Sequence, residues 1–252
     1  MATSFKVLTP AFNCRDKIDK TLWSVIGQTY KDWQLIIVDD LSTDDTASYI
    51  EDFAESHGFA DKIKVKRRTE KYGETRNTFV ECRAMDPDDV VIRLDAGDYL
   101  TDLGCFEILD REYRIHDPAV VWTDQRWTLE PVYKDGKLKP FNLSGPIDIN
   151  TSFYEQPWKT SHLKTFRVRD FKGINPKNFK NDEGNWIMIA CDQAVFLPML
   201  ERARLRKRPL MYIPKLLYHY DCDIFNRGQF FNERAYDQKD SAVWIRERGY
   251  LP

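Results

Sequence analysis

The chain has 252 residues, 42% of them apolar and 31% charged, with a formal net charge of −2. That is the composition of an ordinary globular protein, long enough for one large α/β domain or two small lobes sharing a cleft. No apolar run approaches the roughly 18 residues of a membrane-crossing helix, and Met1-Ala2-Thr3-Ser4-Phe5-Lys6 lacks the regions of a signal peptide. The five cysteines (Cys14, Cys82, Cys105, Cys191, Cys222) form no close pairs, which excludes a visible zinc or disulfide framework and makes a reducing cytoplasm the expected location.

The predicted elements alternate through the first 125 residues. Phe5 to Leu8 reads as a strand stopped by Thr9-Pro10, and Asp16 to Ile26 as a helix with Ile18, Leu22, Val25 and Ile26 on one face. Gln34 to Val38 is a buried strand. Ser42 or Thr43 is placed to N-cap the next helix, with Asp44 and Asp45 in its first turn. Ile63 to Val65 is a third strand, Gly73 to Arg83 a helix, Val90 to Leu94 a fourth strand, Thr101 to Tyr113 a helix and Ala119 to Trp122 a fifth strand. This order predicts a Rossmann-like α/β fold, mainly parallel, with right-handed crossovers. After Trp127 the alternation stops. Residues 128–160 read as loops and an edge hairpin, 161–180 as a basic, aromatic stretch, Trp186 to Leu205 as a helix interrupted near Pro198, and 210–213 and 216–220 as short extended pieces. The division expected is 1–125 and 126–252. Lys and Arg number 17 against 26 acids in residues 1–130, and 21 against 14 in the remainder. Two solvated surfaces of opposite sign would give this asymmetry, as would an acidic half beside a basic half facing an anionic partner.

Two strands run directly into acids: Val38 into Asp39-Asp40, and Leu94 into Asp95-Ala96-Gly97-Asp98. Open α/β sheets bind ligands at the carboxyl ends of their strands, so these acids mark a candidate site for a nucleotide and its metal.

Val7-Leu8-Thr9-Pro10-Ala11-Phe12-Asn13, Gln28-Thr29-Tyr30-Lys31-Asp32-Trp33, Ile36-Ile37-Val38-Asp39-Asp40, Gly73-Glu74-Thr75-Arg76-Asn77 and Leu94-Asp95-Ala96-Gly97-Asp98-Tyr99-Leu100 follow one another at a spacing that resembles the family 2 glycosyltransferases of GT-A fold. The resemblance implies a nucleotide-sugar donor, usually UDP-linked, held in residues 1–125, with an irregular acceptor lobe in 126–252. Thr9, Pro10, Ala11 and Asn13 would line the base pocket, and Asp39 would accept from a pyrimidine N–H, with Asp40 beside it. Otherwise the two acids cap the following helix. Arg76 would meet the diphosphate or a sugar hydroxyl; a surface salt bridge competes. Asp95-Ala96-Gly97-Asp98 takes the place of the family's Asp-x-Asp motif, but Gly97 stands where an acid is usual. That leaves Asp98 for Mn²⁺ or Mg²⁺ and Asp95 for ribose or sugar, against a bland reading of Asp98 as a turn residue.

The later candidates are more loosely anchored. Asp192 in Cys191-Asp192-Gln193-Ala194 sits where the family often carries its catalytic base; it also reads as a helix N-cap, with Asp182 and Glu183 as fallback bases. His219 would complete the metal site, or else is a packed histidine among tyrosines. His162 is placed to touch diphosphate or acceptor. Lys159, Lys164, Arg167, Arg169, Lys172, Lys177 and Lys180 interleave with Phe166, Phe171 and Phe179, a pattern suited to a nucleic-acid groove, and Arg202 to Arg208 adds a second basic patch. The acceptor expected is therefore a glycan or glycolipid, or DNA with hydroxymethylated bases. The overall expectation is a metal-assisted, inverting hexosyl- or pentosyltransferase. A sugar-phosphate nucleotidyltransferase is the alternative, although it would carry a Gly-rich, lysine-containing loop where Thr9 to Asn13 stand. A non-catalytic nucleotide-sugar-binding module is the other.

Overall fold

The computed structural model describes residues 2–128, 132–134, 137–139, 143–221 and 233–252; Cys222 lies outside them. The sheet is built from β1 (Phe5–Ala11), β2 (Trp33–Asp39), β3 (Ile63–Arg67), β4 (Val90–Arg93), β5 (Tyr99–Leu100), β6 (Val120–Trp127), β9 (Lys164–Arg167) and β10 (Leu210–Tyr220), in the spatial order β3-β2-β1-β4-β9-β6-β10-β5. Pairings β3-β2-β1-β4 and β6-β10 are parallel; β9 is antiparallel to both β4 and β6, and β5 to β10. The expected α/β class with a mixed, mainly parallel sheet is what forms. A separate hairpin joins β7 (Val132–Lys134) to β8 (Lys137–Lys139).

The central strands are apolar on both faces because helices cover both. Phe5, Val7, Leu35, Ile37, Val90 and Ile92 face a core shared with α1 (Ile18–Ile26), α2 (Thr46–Ser56) and α4 (Cys105–His116). Leu8, Ile36, Val38 and Val91 face the opposite core, which takes Cys82 of α3 (Gly73–Ala84) and most of the apolar side of α6 (Cys191–Leu205). Pro10 does not stop β1. The Leu8 carbonyl accepts from Leu94 on the β4 side, and Pro10, two residues on, faces the same side where β4 has ended, so its missing N–H leaves no ladder bond unmade.

Other boundaries moved for identifiable reasons. The helix of the second half starts at Cys191 and runs unbroken through Pro198. Burial of Val195, Phe196, Leu197, Met199 and Leu200 around that proline offsets the roughly 3 kcal/mol an interior proline costs. The two extended pieces after Leu210 are one strand, with register shifts on both sides of Leu216 absorbing Pro214. Strand β9, only four residues long and basic, carries no visible strand pattern, nor does the helix α7 (Glu233–Arg248) show an apolar stripe. No helix among the described residues is long and apolar enough to cross a membrane.

The basic, aromatic stretch does not form a nucleic-acid groove. Phe166, Phe171 and Phe179 are at most 1% exposed and pack in the second core. Arg167 pairs with Asp117, Arg169 with Asp88 and Asp117, Lys172 donates to the Met85 carbonyl, and Lys164 is buried. Phe166 lies in β9, Phe171 in α5 (Val168–Lys172) and Phe179 in the short 3-10 turn Pro176–Phe179, and each of these elements turns its ring into the core. Phe166→Ala is therefore expected to cost about 3–5 kcal/mol of unfolding free energy, read from urea denaturation. A ring stacked on a surface groove would cost close to nothing.

Candidate active site

Two cavities meet at the carboxyl ends of the central strands. The larger, about 450 Å³, is lined by Pro10 and Ala11 from β1, Asp40 after β2, Gly73, Glu74 and Asn77 from α3, Asp95 after β4 and Cys191-Asp192 from α6. The smaller, about 270 Å³, is walled by Trp127, Trp158 and Tyr220 with Ser161, Gln193 and Gln238. They share His162, Ala190, Asp192, Tyr220 and Gln238.

Beneath them lie two buried cations. Arg93 and Lys164 are 3% and 1% exposed and stand opposite each other in the β4–β9 register. Like charges directly across an antiparallel pair repel, and buried cations need anionic partners. Three carboxylates from three elements supply them. Arg93 donates to Glu74 at 2.5 Å, to Asp95 at 3.4 Å and to the Thr78 hydroxyl at 3.2 Å, and Lys164 pairs with Asp192. Lys164 also lies 4.9 Å from the centre of the Phe196 ring. Burial pushes the Glu74 carboxyl up, against the pull of Arg93. Burial acts the same way on Asp192, but Lys164 and His162 outweigh it and hold that carboxyl well below the ordinary carboxylate range. Asp192 is thus ionised, with 39% of its side chain exposed to the cavities.

The donor end is organised by the acids after β2. Asp40 accepts from the backbone N–H groups of Tyr72 (2.9 Å) and Gly73 (3.0 Å), and Lys71 lies 3.6 Å away. Burial raises its pKa, while Asn77, these two amides and Lys71 together bring it below the ordinary value. The helix-capping alternative therefore holds for Asp40, but the helix is α3 rather than α2. Gly73, at φ +72°, makes that turn. Asp39 is 5% exposed, and its buried Oδ1 has no hydrogen-bond partner among the described residues. A buried acceptor is thus left open at the end of β2, although Asp40 and not Asp39 lines the larger cavity. Asn13 does not line the cleft. Its side chain accepts from Thr43 N at 2.8 Å, and its own N–H donates to Ser42 at 2.9 Å, so Ser42 and Thr43 clamp that loop instead of capping α2. Asp44 serves the α2 N-terminus, accepting from Thr46 N. Thr9 is wholly buried behind Pro10 and Ala11.

Three expected roles are not supported by the geometry. Arg76 turns away from the cleft to pair with Glu70 at 3.1 Å and stack 3.5 Å from the Tyr72 ring centre. Gly73, Glu74 and Asn77 share the inward face of α3 at i, i+1 and i+4, and Arg76, two residues past Glu74, falls on the other side. Asp98 is 5% exposed, with Oδ2 bonded to the Tyr218 hydroxyl and Oδ1 to the Asp221 N–H. Burial and Asp95 push its carboxyl well up, and both of its oxygens are engaged within the fold. Gly97 explains the inward turn. At φ +99° it donates to Thr21, whose hydroxyl also bonds the Asp98 carbonyl, and a side-chain acid at 97 would have to adopt left-handed backbone. His219 is bonded to Arg126 at 2.9 Å and Thr128 at 2.9 Å and stacked on Tyr99, which is the packed reading of that residue. No group of three His, Cys, Asp or Glu side chains able to hold a metal occurs among the described residues. Asp95, with 34% of its side chain exposed, is the acid after β4 that reaches the cleft. One carboxylate with a substrate diphosphate and waters meets the minimum for a Mg²⁺-class ion, but not for an all-protein site.

Asp192 sits in the first turn of α6 one residue past Cys191, and the N-cap position is Ala190, so the capping alternative does not hold. Asp182 and Glu183 lie exposed in a turn and line neither cavity. Glu74, Lys71, Arg93 and Lys164 were not singled out as site residues. Helical spacing within Gly73 to Asn77 would have found Glu74; the others depend on which strands pair.

His162 lies 4.0 Å from Asp192 and stacks between Tyr218 and Tyr220. Burial, then Lys164, lowers its pKa to about 4. The unfolded chain takes up this proton below about 6.5 and the folded chain only near 4, so stability falls with pH across that window by up to roughly 3 kcal/mol. His162→Phe should flatten this part of the curve in urea midpoints measured from pH 7 to 4, leaving the share of His219, whose pKa is shifted the same way by burial. Asp192 acts below this window, where its stabilisation is lost as pH drops. An unchanged slope in the variant would refute the assignment.

Comparison with known proteins agrees with this arrangement. The family model described as Glycosyl transferase family 2 matches residues 6–175. Chondroitin synthase of Escherichia coli is 28% identical over 219 residues, 84% of this chain and 28% of that protein. The crystal structure of S. aureus TarS 1-349 in complex with UDP aligns at TM-score 0.63 and 18% identity, over 99% of this chain and 67% of that one. Mannosyltransferase PcManGT from Pyrobaculum calidifontis, in complex with GDP-Man and Mn²⁺, aligns at 0.62 and 15%, over 100% and 66%. At those identities the likeness is one of fold. The chain spans between 19% and 35% of the length of the curated relatives it matches. With the family model covering two thirds of its length and a GT-A sheet carrying the cleft, the chain belongs to glycosyl transferase family 2.

Proposed function

We propose that this chain transfers a sugar from a UDP-sugar to a hydroxyl of a glycan, inverting the anomeric centre, with Asp192 as general base. The observation that carries the reading is that the Asp192 carboxylate borders both cavities. The larger one is lined about equally from both sides of position 125, holds all of the strand-end acids that reach the cleft, and takes the donor. The smaller one is built wholly from residues after 125 and takes the acceptor, which gives the two expected halves different tasks within one sheet. Two tryptophans and a tyrosine among uncharged Ser161, Gln193 and Gln238 suit the apolar face and hydroxyls of a sugar ring better than a polyanion. DNA as acceptor is less well supported, because the three phenylalanines are packed in the core and Lys164, Arg167, Arg169 and Lys172 are engaged within the fold, leaving Lys159, Lys177 and Lys180 of that stretch.

In the reaction, Asp192 takes the proton of the acceptor hydroxyl. The freed oxygen pair forms the new bond to the anomeric carbon, and the carbon–oxygen bond to phosphate breaks with its electrons leaving on the diphosphate. In this reading Asp39 accepts from the base N–H through its open Oδ1 behind the cavity wall, and the half-exposed Lys71, which lines the larger cavity, faces the diphosphate. A divalent ion on Asp95, when bound, neutralises the leaving group. The complexes of relatives with UDP and with GDP-Man and Mn²⁺ support both inferences. Arg93 and Lys164 hold Glu74, Asp95 and Asp192 in place.

Label transfer from a panel of UDP-, GDP- and CDP-sugars, offered to oligosaccharides and to hydroxymethylated DNA, tests this reading. Asp192→Asn is expected to lower transfer by about 10²–10⁴-fold with donor affinity unchanged. Retained transfer in that variant, or label in DNA and none in oligosaccharide, would count against the assignment. Asp98→Asn should keep the response of donor hydrolysis to Mn²⁺, and Asp95→Asn should lose it. The reverse result would return the metal to Asp98.

A further inference from the structure

Away from the cleft, an open depression of about 600 Å³ is lined by Arg169, Asp170, Arg202, Arg206 and Arg208. It lies at the other end of α6 from Asp192, about 20 Å along the helix axis. Its carboxylates are already engaged. Asp170 and Asp117 hold Arg208 at 3.1 and 3.0 Å, and Asp117 and Asp88 hold Arg169. Neither Arg202 nor Arg206 forms an ion pair among the described residues. Arg202 is only 9% exposed, and its guanidinium makes one bond, to the Asp170 carbonyl at 3.2 Å. It lies flat against Gly173, where any Cβ would collide with it. Cations are favoured at a helix C-terminus, which accounts for the exposed Arg206. It does not account for burying a second guanidinium beside the first when the nearby Asp170 carboxylate is already held by Arg208. Burial and Arg206 together pull the Arg202 pKa below its ordinary value, which is the mark of a cation short of a partner.

We propose that this arginine pocket is an anion site separate from the cleft, taking a phosphate group between Arg202 and Arg206. Guanidinium forks match phosphate oxygens in pairs, and a pocket with one buried and one exposed fork orients a tetrahedral anion from two sides. Exposed Leu205 and Lys207 flank Arg206 in the sequence, and the phosphate is either that of a soluble ester or the headgroup of an anionic lipid.

Titration of the full chain with inorganic phosphate, followed through arginine Nε–H resonances with chloride at matched ionic strength as control, tests the site. Two arginine signals, assigned with Arg206→Ala and Arg202→Lys, should shift saturably. Arg206→Ala should weaken binding roughly tenfold while the thermal midpoint stays unchanged. Sedimentation with phosphatidylglycerol vesicles against phosphatidylcholine vesicles separates the sources. Retention by the former that is lost in Arg206→Ala assigns the phosphate to a lipid headgroup, and phosphate binding without retention assigns it to a soluble ester. No saturable shift, or equal phosphate affinity in Arg206→Ala and the unsubstituted chain, overturns the proposal.

Discussion

Arg93 and Lys164 are the constraint around which the site is arranged. Two cations on facing positions of adjacent buried strands are tolerable only while carboxylates compensate them. Those carboxylates come from α3, from the end of β4 and from the first turn of α6. The requirement to neutralise the floor therefore fixes where three separate elements present their acids. It also keeps Asp192 ionised at the meeting point of two cavities.

The strand-end acids divide their tasks in a way their spacing does not reveal. Asp39 leaves an acceptor atom open, and its neighbour Asp40 is consumed in holding the N-terminus of α3. After β4 the order is the same: Asp95 faces the cleft, and Asp98 is sealed beneath Tyr218. In each pair one acid keeps an open acceptor atom or an exposed face, and the other is bonded to backbone N–H groups.

The strongly basic second half shows how charge is spent on architecture. Asp117, at the end of α4, gathers Arg167, Arg169 and Arg208, and Asp170 joins Arg208 from α5. These pairs tie α4, β9 and the approach to β10 together across the point where the two halves meet. Arg202 and Arg206, at the end of α6, form no such pair among the described residues.

The sequence alone determined the parallel first half, because strands buried on both faces must be continuously apolar and end in turn residues; Leu35 to Val38 and Val90 to Leu94 admit little else. It also pointed to Asp39, Asp40, Asp95, Asp98 and Asp192, since a carboxylate beside an apolar run needs a cleft or a partner, and of these Asp40, Asp95 and Asp192 line the larger cavity. It could not assign Arg76, Asp98 or His219. Whether a polar side chain faces the cleft depends on helix phase, on the left-handed turn at Gly97 and on what packs over it, here Tyr218. The insertion of β9 between β4 and β6 was equally out of reach, because pairing partners 71 residues apart leave no local pattern in a four-residue basic strand. That insertion brings Lys164 under Asp192, so the electrostatics of the site belong to the tertiary structure alone.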